Sequence, residues 1–483
     1  MSSFIISVDQ STTATKTYVF DEHADIVSSF SVFHKQIYPN TGWVEHDLNE
    51  IYENTKSSIA AALELKKIEH HDIKCISIAN QRETTAVWNE QGPIYNAVVW
   101  QCPRGSVITE REKVKEREEY IRQSSGLPLS PYFSAAKASW ITENIQNTDN
   151  AYFGTIDSWL IWKLTKNHLT DYSNASRTQL FNIYSLKWDD ELIKIFGLNG
   201  LRFPDVVCSD SIFGYTDIDG LLKYKVPVAG ILGDSHASLF AQQCWNAGTG
   251  KVTLGTGSSI MLNTGYSTIP SSHGLSNSIA WGLSEKIEYV LEGNINCSGD
   301  TLNWLKDELG LIDDTRNAGE YALKVSSSGG VYLVPAFVGL GAPHWNSNVR
   351  AVICGLSRDS NKYHIIRAAV ESIAYQIKDI IIPMQVELGR EITELRADGG
   401  LSNNGFLMQF TADQLNIKIV KSKSDALSAL GAAFAGGLAA GIWSNRDALK
   451  PLWQSELTYI PNMAKKESDK AYNGWCKALS MLD

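Results

Sequence analysis

The sequence predicts an α/β protein of two packed domains with a cleft between them, and three observations carry that reading. Short β-branched runs alternate with stretches of helical apolar spacing. A strand–turn–strand pattern whose turn consists of small residues occurs near the start and again near the middle. At 483 residues the chain is too long for one simple core, since a domain typically takes roughly 150 residues.

In chain order, residues 4–8 are an apolar run ending in Asp9, Gln10, Ser11, Thr12 and Thr13, after which Thr17, Val19 and Phe20 resume an alternation, which predicts a hairpin. Residues 49–65 carry apolar side chains at helical steps, and 75–79 form a β-branched run entering Asn80, Gln81, Arg82 and Glu83. The hairpin pattern returns where residues 251–254 lead into Gly255, Thr256, Gly257, Ser258 and Ser259, followed by Ile260, Met261 and Leu262. Ile366, Val370, Ile373, Ile377 and Ile380 then mark a long helix, and 395–397 run into Asp398, Gly399 and Gly400. The echo of the two hairpins places a boundary near 245–249 and divides the chain into 1–246 and 247–483. With no long linker between them, the halves are expected to pack face to face.

Composition excludes several classes of function. With 43 lysines and arginines against 53 aspartates and glutamates the net charge is −10, the opposite of a surface that selects nucleic acid. The longest apolar stretch, 432–443, falls short of the ~20 residues that span a bilayer, and MSSFIISVDQ lacks the charged flank of a signal peptide. A cytoplasmic protein with no membrane insertion is expected. Seven cysteines without a CxxC pair read as reduced thiols, and ten histidines without HExxH spacing give no sign of a zinc or iron site.

Three strand ends open into turns of serine, threonine or glycine, after Val8, Leu254 and Ala397. Such turns offer backbone N–H groups and hydroxyls to phosphate, although any one alone is equally an ordinary hairpin turn. Walker A and GxGxxG patterns are absent. Asp9 at the first turn suits a phosphate-bound Mg²⁺ held through water, and Asp234, after the strand-like Gly230-Ile231-Leu232-Gly233, stands where a kinase places its base; each is also a plausible N-cap. Arg82 and Glu83 put a donor fork beside an acceptor, which fits a polyol, and Trp100 and Tyr132 could wall its carbon face or simply belong to the core.

Nine segments in order then resemble one family: VDQSTT (8–13), GWVEHD (42–47), NQRETT (80–85), NAVVWQC (96–102), PYFSAAK (131–137), TDYSNASRT (170–178), LGTG (254–257), VPAFVGLGAPHW (334–345) and ALGAA (429–433). The chain is similar over nearly its whole length to the FGGY carbohydrate kinases, and NQRETT and NAVVWQC favour the glycerol branch. The resemblance implies two actin-like, ribonuclease-H-like domains closing on ATP and a small polyol, with an interdomain active-site cleft. It also implies Asp234 as catalytic base and Arg82, Glu83, Trp100 and Tyr132 as the polyol pocket. Ser11, Thr12, Thr13 and Lys16 would be at the first phosphate turn, Thr256 at the second, and Gly299, Asn303, Gly399, Gly400 and Asn404 on the nucleotide. Asp9 would take Mg²⁺ through water, with Asp234 as a second carboxylate for the metal.

Departures from the family pattern bear on the substrate. Ser235 replaces the usual glutamine after the base, Ser259 replaces a phenylalanine near the second turn, and both changes shrink a side chain lining the substrate. Ser11 and Lys16 stand in place of glycine and arginine. The expected reaction is transfer of phosphate from ATP to a terminal hydroxyl, glycerol first. A tetritol, pentitol or ketopentose kinase and an actin-like ATP-binding protein without kinase activity are the other readings. Homodimer and tetramer both stay open.

Overall fold

The computed structural model describes residues 3–346 and 348–482. Two large mixed sheets organise it, one on each side of residues 234–249. The first has six strands in the order Ile212–Thr216, Val226–Gly233, Ile73–Asn80, Phe4–Gln10, Ala14–Phe20 and Ile26–Phe33. The three central strands Val226–Gly233, Ile73–Asn80 and Phe4–Gln10 run parallel, and the outer pairings are antiparallel. Their β-branched residues, among them Ile5, Ile6, Val8, Ile76, Ile78 and Ile231, are fully buried, as parallel strands covered on both faces require.

Register decides where the site lies. Gln10, Asn80 and Gly233 share one rung, so the three parallel strands end level and discharge their following residues into one place. In α/β sheets that is where ligands sit.

One face of this sheet is covered by the helix Leu48–Lys66, started by the Asp47 carboxylate, which accepts from the N–H groups of Asn49 and Glu50. The helix ends at Lys67, which takes a left-handed conformation. The other face is covered by the helix Asp234–Ala241 and by Leu427–Ala439, which returns from the later half of the chain. That return is why the apolar cluster of Ile5, Phe20, Leu232, Phe240, Trp281 and Phe434 draws on both halves.

The second sheet has seven strands in the order Ser276–Leu283, Lys286–Ile295, Ser258–Gly265, Gly250–Leu254, Glu394–Asp398, Lys418–Ser422 and Ser455–Tyr459. The long helix Lys362–Leu388 lies across it. Both expected hairpins are present, with residues 11–13 and 255–257 as their turns. All seven cysteines are free thiols. Among the described residues no helix is long and apolar enough to cross a membrane.

Glycines set the seam between the covering helices and the first sheet. A Cβ on Gly431 would lie 1.9 Å from the Ala237 carbonyl oxygen, and one on Gly230 would lie 2.1 Å from the Gly436 nitrogen. The Ser7 hydroxyl donates to the Ala429 carbonyl across the same seam at 2.6 Å. Gly431→Ala is therefore expected to force the helices apart, to cost about 2 kcal/mol or more, and to lower turnover because the displaced helix begins at Asp234. Urea unfolding and activity checks it against Gly200→Ala, where the added carbon meets only an ordinary contact at 3.5 Å.

Candidate active site

Asp9 and Asp234 flank the level strand ends. Asp9 shares its rung with Lys16, and burial followed by the charge of Asp234 raises its pKa to about 7 against the pull of Lys16. Asp234 is the first residue of its helix. Its side chain is one-third exposed at 33%, and its Oδ1 accepts the Ser235 N–H at 2.6 Å. Two carboxylates whose charges oppose one another fit a divalent cation between them and a phosphate. Among the described residues no group of three or more histidine, cysteine or acidic side chains forms a metal site.

Arg82 follows the central strand Ile73–Asn80 and crosses beneath Gly233, where a Cβ would lie 2.7 Å from its Cγ. Its guanidinium is anchored by carboxylates of the protein itself. Nη1 and Nη2 donate to Glu292 Oε2 and Oε1 at 2.9 and 2.8 Å, while Nε lies 3.5 Å from Asp234 Oδ1. Glu83 is likewise engaged, accepting from Arg177 Nε at 2.6 Å, and Arg177 Nη1 lies 3.0 Å from Glu292 Oε2. Burial opposes charge on Glu292, yet Arg177 and Arg82 hold its pKa well below the carboxylate range. Arg82 and Glu83 therefore each hold an ion-pair partner within the protein, since neither could stay buried and ionised alone. Glu83 also has positive φ (59°), a strained conformation for a non-glycine residue.

Trp100 and Tyr132 do come together, edge to face with centroids 5.5 Å apart. Trp100 Nε1 donates to Thr12 Oγ1 at 3.0 Å, which ties this aromatic pair to the turn at residues 11–13. Behind that turn the Thr12 carbonyl accepts from His34 Nε2 and Gln36 Nε2 at 2.7 and 2.9 Å. Thr13 is exposed, whereas the Ser11 hydroxyl donates back to Ala14 at 2.9 Å and so closes the turn. The Ser259 hydroxyl donates to Glu292 Oε1 at 3.2 Å. His236, next along the helix from Ser235, is fully buried with neither ring nitrogen hydrogen-bonded, and burial together with Arg82 holds its pKa well below the usual value.

The second turn and the nucleotide candidates are built largely of backbone. Gly299 and Asp300 N–H groups donate to the carbonyls of Gly255 and Thr256 at 3.0 Å, which docks the helix Gly299–Asp307 on the turn and leaves Thr256 exposed. A Cβ on Gly299 would lie 2.7 Å from the Gly255 oxygen, and one on Gly399 would lie 2.4 Å from the Leu254 oxygen. Only glycine permits this approach, and the cradle it makes fits phosphate groups. Asn303 is exposed one turn along that helix, and Gly400 is exposed beside Gly399. Asn404 Oδ1 caps the helix Gly405–Leu415, while its Nδ2 is buried with no acceptor among the described residues.

Residues 4–241 match the N-terminal domain of the FGGY family of carbohydrate kinases, and 250–440 match its C-terminal domain. The chain belongs to that family. It is 46% identical to glycerol kinase 1 of Thermotoga maritima over 99% of each chain. It is also similar to the crystal structure of Plasmodium falciparum glycerol kinase with ADP, with a TM-score of 0.93 and 35% identity over 100% of this chain and 98% of that one. A ligand-bound xylulose kinase from Lactobacillus acidophilus shares the fold, with a TM-score of 0.91 and 22% identity over 99% of this chain and 98% of that one.

The residues that sequence reasoning passed over are Glu292 and Arg177. Arg177 lies within TDYSNASRT, and Glu292 interrupts the apolar stretch of the strand Lys286–Ile295, the one local signal that it has a special partner. Glu292→Gln keeps the shape but leaves two buried guanidinium groups facing each other, so stability should fall by about 3–5 kcal/mol. The urea midpoint of the variant measures this, and an unchanged midpoint would refute the central place given to Glu292.

Proposed function

We propose that this carbohydrate kinase transfers the terminal phosphoryl group of ATP to a terminal hydroxyl of glycerol. The observation that carries the reading is the position of Asp234, a partly exposed carboxylate at the level strand ends that also lead into Arg82 and the 11–13 turn, with Trp100 bonded to that turn and packed on Tyr132. The relatives named as glycerol kinases support it, as does the ADP in the Plasmodium structure.

Asp234 takes the proton of the attacking hydroxyl, whose oxygen forms the new O–P bond as the bridging O–P bond of the nucleotide breaks and ADP leaves. Trp100 and Tyr132 cover the carbon chain, while Arg82 and Glu83, each fixed from behind by its ion-pair partner, present their remaining polar edges to the hydroxyls. Thr12, Thr13, Lys16 and Thr256 face the phosphates across the cleft, with Ser11 shaping the first turn. Gly299, Asn303, Gly399, Gly400 and Asn404 hold the rest of the nucleotide. Asp9 and Asp234 would hold Mg²⁺, Asp9 through water, and the ion would neutralise phosphate charge. Asp234→Asn should lower turnover by about 10²–10⁴-fold with little change in polyol affinity. A coupled ADP assay measures it, and near-normal turnover would exclude Asp234 as the base.

A longer polyol is the second reading, favoured by the small Ser259 side chain, whose hydroxyl sits on Glu292 where the polyol cluster meets the second sheet. If that space receives a fourth carbon, Ser259→Phe should cut kcat/KM for erythritol by about tenfold or more and leave glycerol unchanged or improved by about 1 kcal/mol. An equal loss for both substrates would dismiss the enlarged pocket.

A further inference from the structure

Lys137 is fully buried in the helix Ser134–Asn144, and none of the ion pairs found among the described residues includes it. Its ammonium donates to three consecutive carbonyl oxygens, those of Pro131 at 2.7 Å, Tyr132, and Phe133 at 3.2 Å. A primary ammonium has three N–H donors, so all are used. Three carbonyl dipoles aimed at one point repel each other unless a cation stands there, so the charge and the backbone of 131–133 require each other. Burial draws the Lys137 pKa down to about 7, opposed by Glu83, and Cys102 and Arg104 are the other titratable neighbours.

What this clamp holds is specific. The Tyr132 ring meets Trp100 at 5.5 Å and Phe133 at 5.2 Å, and the Phe133 ring faces the Arg177 guanidinium at 5.1 Å. The Ser134 hydroxyl donates to the Glu83 carbonyl at 3.0 Å. One short segment thus places the aromatic wall and touches both members of the Glu83–Arg177 pair.

We infer that Lys137 is a positioning residue for the polyol: by gathering the carbonyls of Pro131, Tyr132 and Phe133 it sets the Tyr132 ring against Trp100. The inference rests on the proposed placement of the polyol beside Tyr132. Lys137→Met keeps most of the stem and removes the three donors. It should raise the KM for glycerol by about tenfold or more while leaving the KM for ATP within about twofold. Lys137→Arg should not rescue it, because a planar guanidinium cannot converge three N–H groups from one nitrogen.

In a Tyr132→Ala background Lys137→Met should add little further, since both changes act on the same ring. A folded Lys137→Met with an unchanged glycerol KM, parallel rises in both KM values, or full additivity with Tyr132→Ala would each overturn the inference. Should the methionine form not fold, Lys137→Arg decides alone, and a normal glycerol KM there overturns the inference too. Tyr132→Ala separates the two levels. If it leaves the glycerol KM unchanged, the placement of the polyol fails and the inference with it; if it raises the KM while Lys137→Met does not, only the inference about Lys137 fails.

Discussion

The carboxylate of Glu292 is the interaction on which the site depends. It comes from the second sheet and receives both terminal nitrogens of Arg82, which belongs to the first, while Arg177 approaches its other side. Taking three such charges out of water is expensive, and a well-packed apolar cluster of the same volume would often be as stable or more so. What the ionic arrangement supplies is direction. A bidentate guanidinium–carboxylate pair has one good geometry, so the two halves meet in one register with Arg82 Nε turned toward Asp234. Breaking any member leaves its partners charged and dry.

Around that ion cluster the backbone does the placing. The level ends of three parallel strands deliver Asp9, Arg82 and Asp234 from segments far apart in the chain. The opposing wall is made of main chain, with glycines at Gly255, Gly257, Gly299 and Gly399 allowing strand ends and a helix start to approach within contact of one another. Side chains thus dominate one side of the cleft and peptide groups the other, a division suited to a reaction between a hydroxylated carbon chain and a phosphate chain.

Much of this was legible in the sequence, and the reason is periodicity. The apolar runs at 4–8 and 75–79, the two small-residue turns and the helical steps from Ile366 to Ile380 each report on their own neighbourhood, and the elements stand where those patterns put them. Asp234 was visible because a strand pattern stops beside it. What local patterns do not carry is pairing at a distance: Arg82 and Glu292 are 210 residues apart, and nothing near Arg82 says that its fork grips a carboxylate from the second sheet. The same holds for the helix Leu427–Ala439. Its composition marks an apolar stretch but not that this lies on the first sheet rather than the second.

The bond from Trp100 Nε1 to Thr12 Oγ1 joins a ring proposed to meet the polyol to a turn proposed to meet the nucleotide. A ligand that shifts the indole alters the turn, and a ligand that orders the turn restrains the indole. Thermodynamic linkage makes such a coupling symmetric: whatever factor the first ligand imposes on the affinity of the second, the second returns unchanged to the first. Order of addition can therefore alter rates but not the equilibrium occupancy of the two ligands together, and the sign of the cooperativity is a single property of this strut rather than of either site.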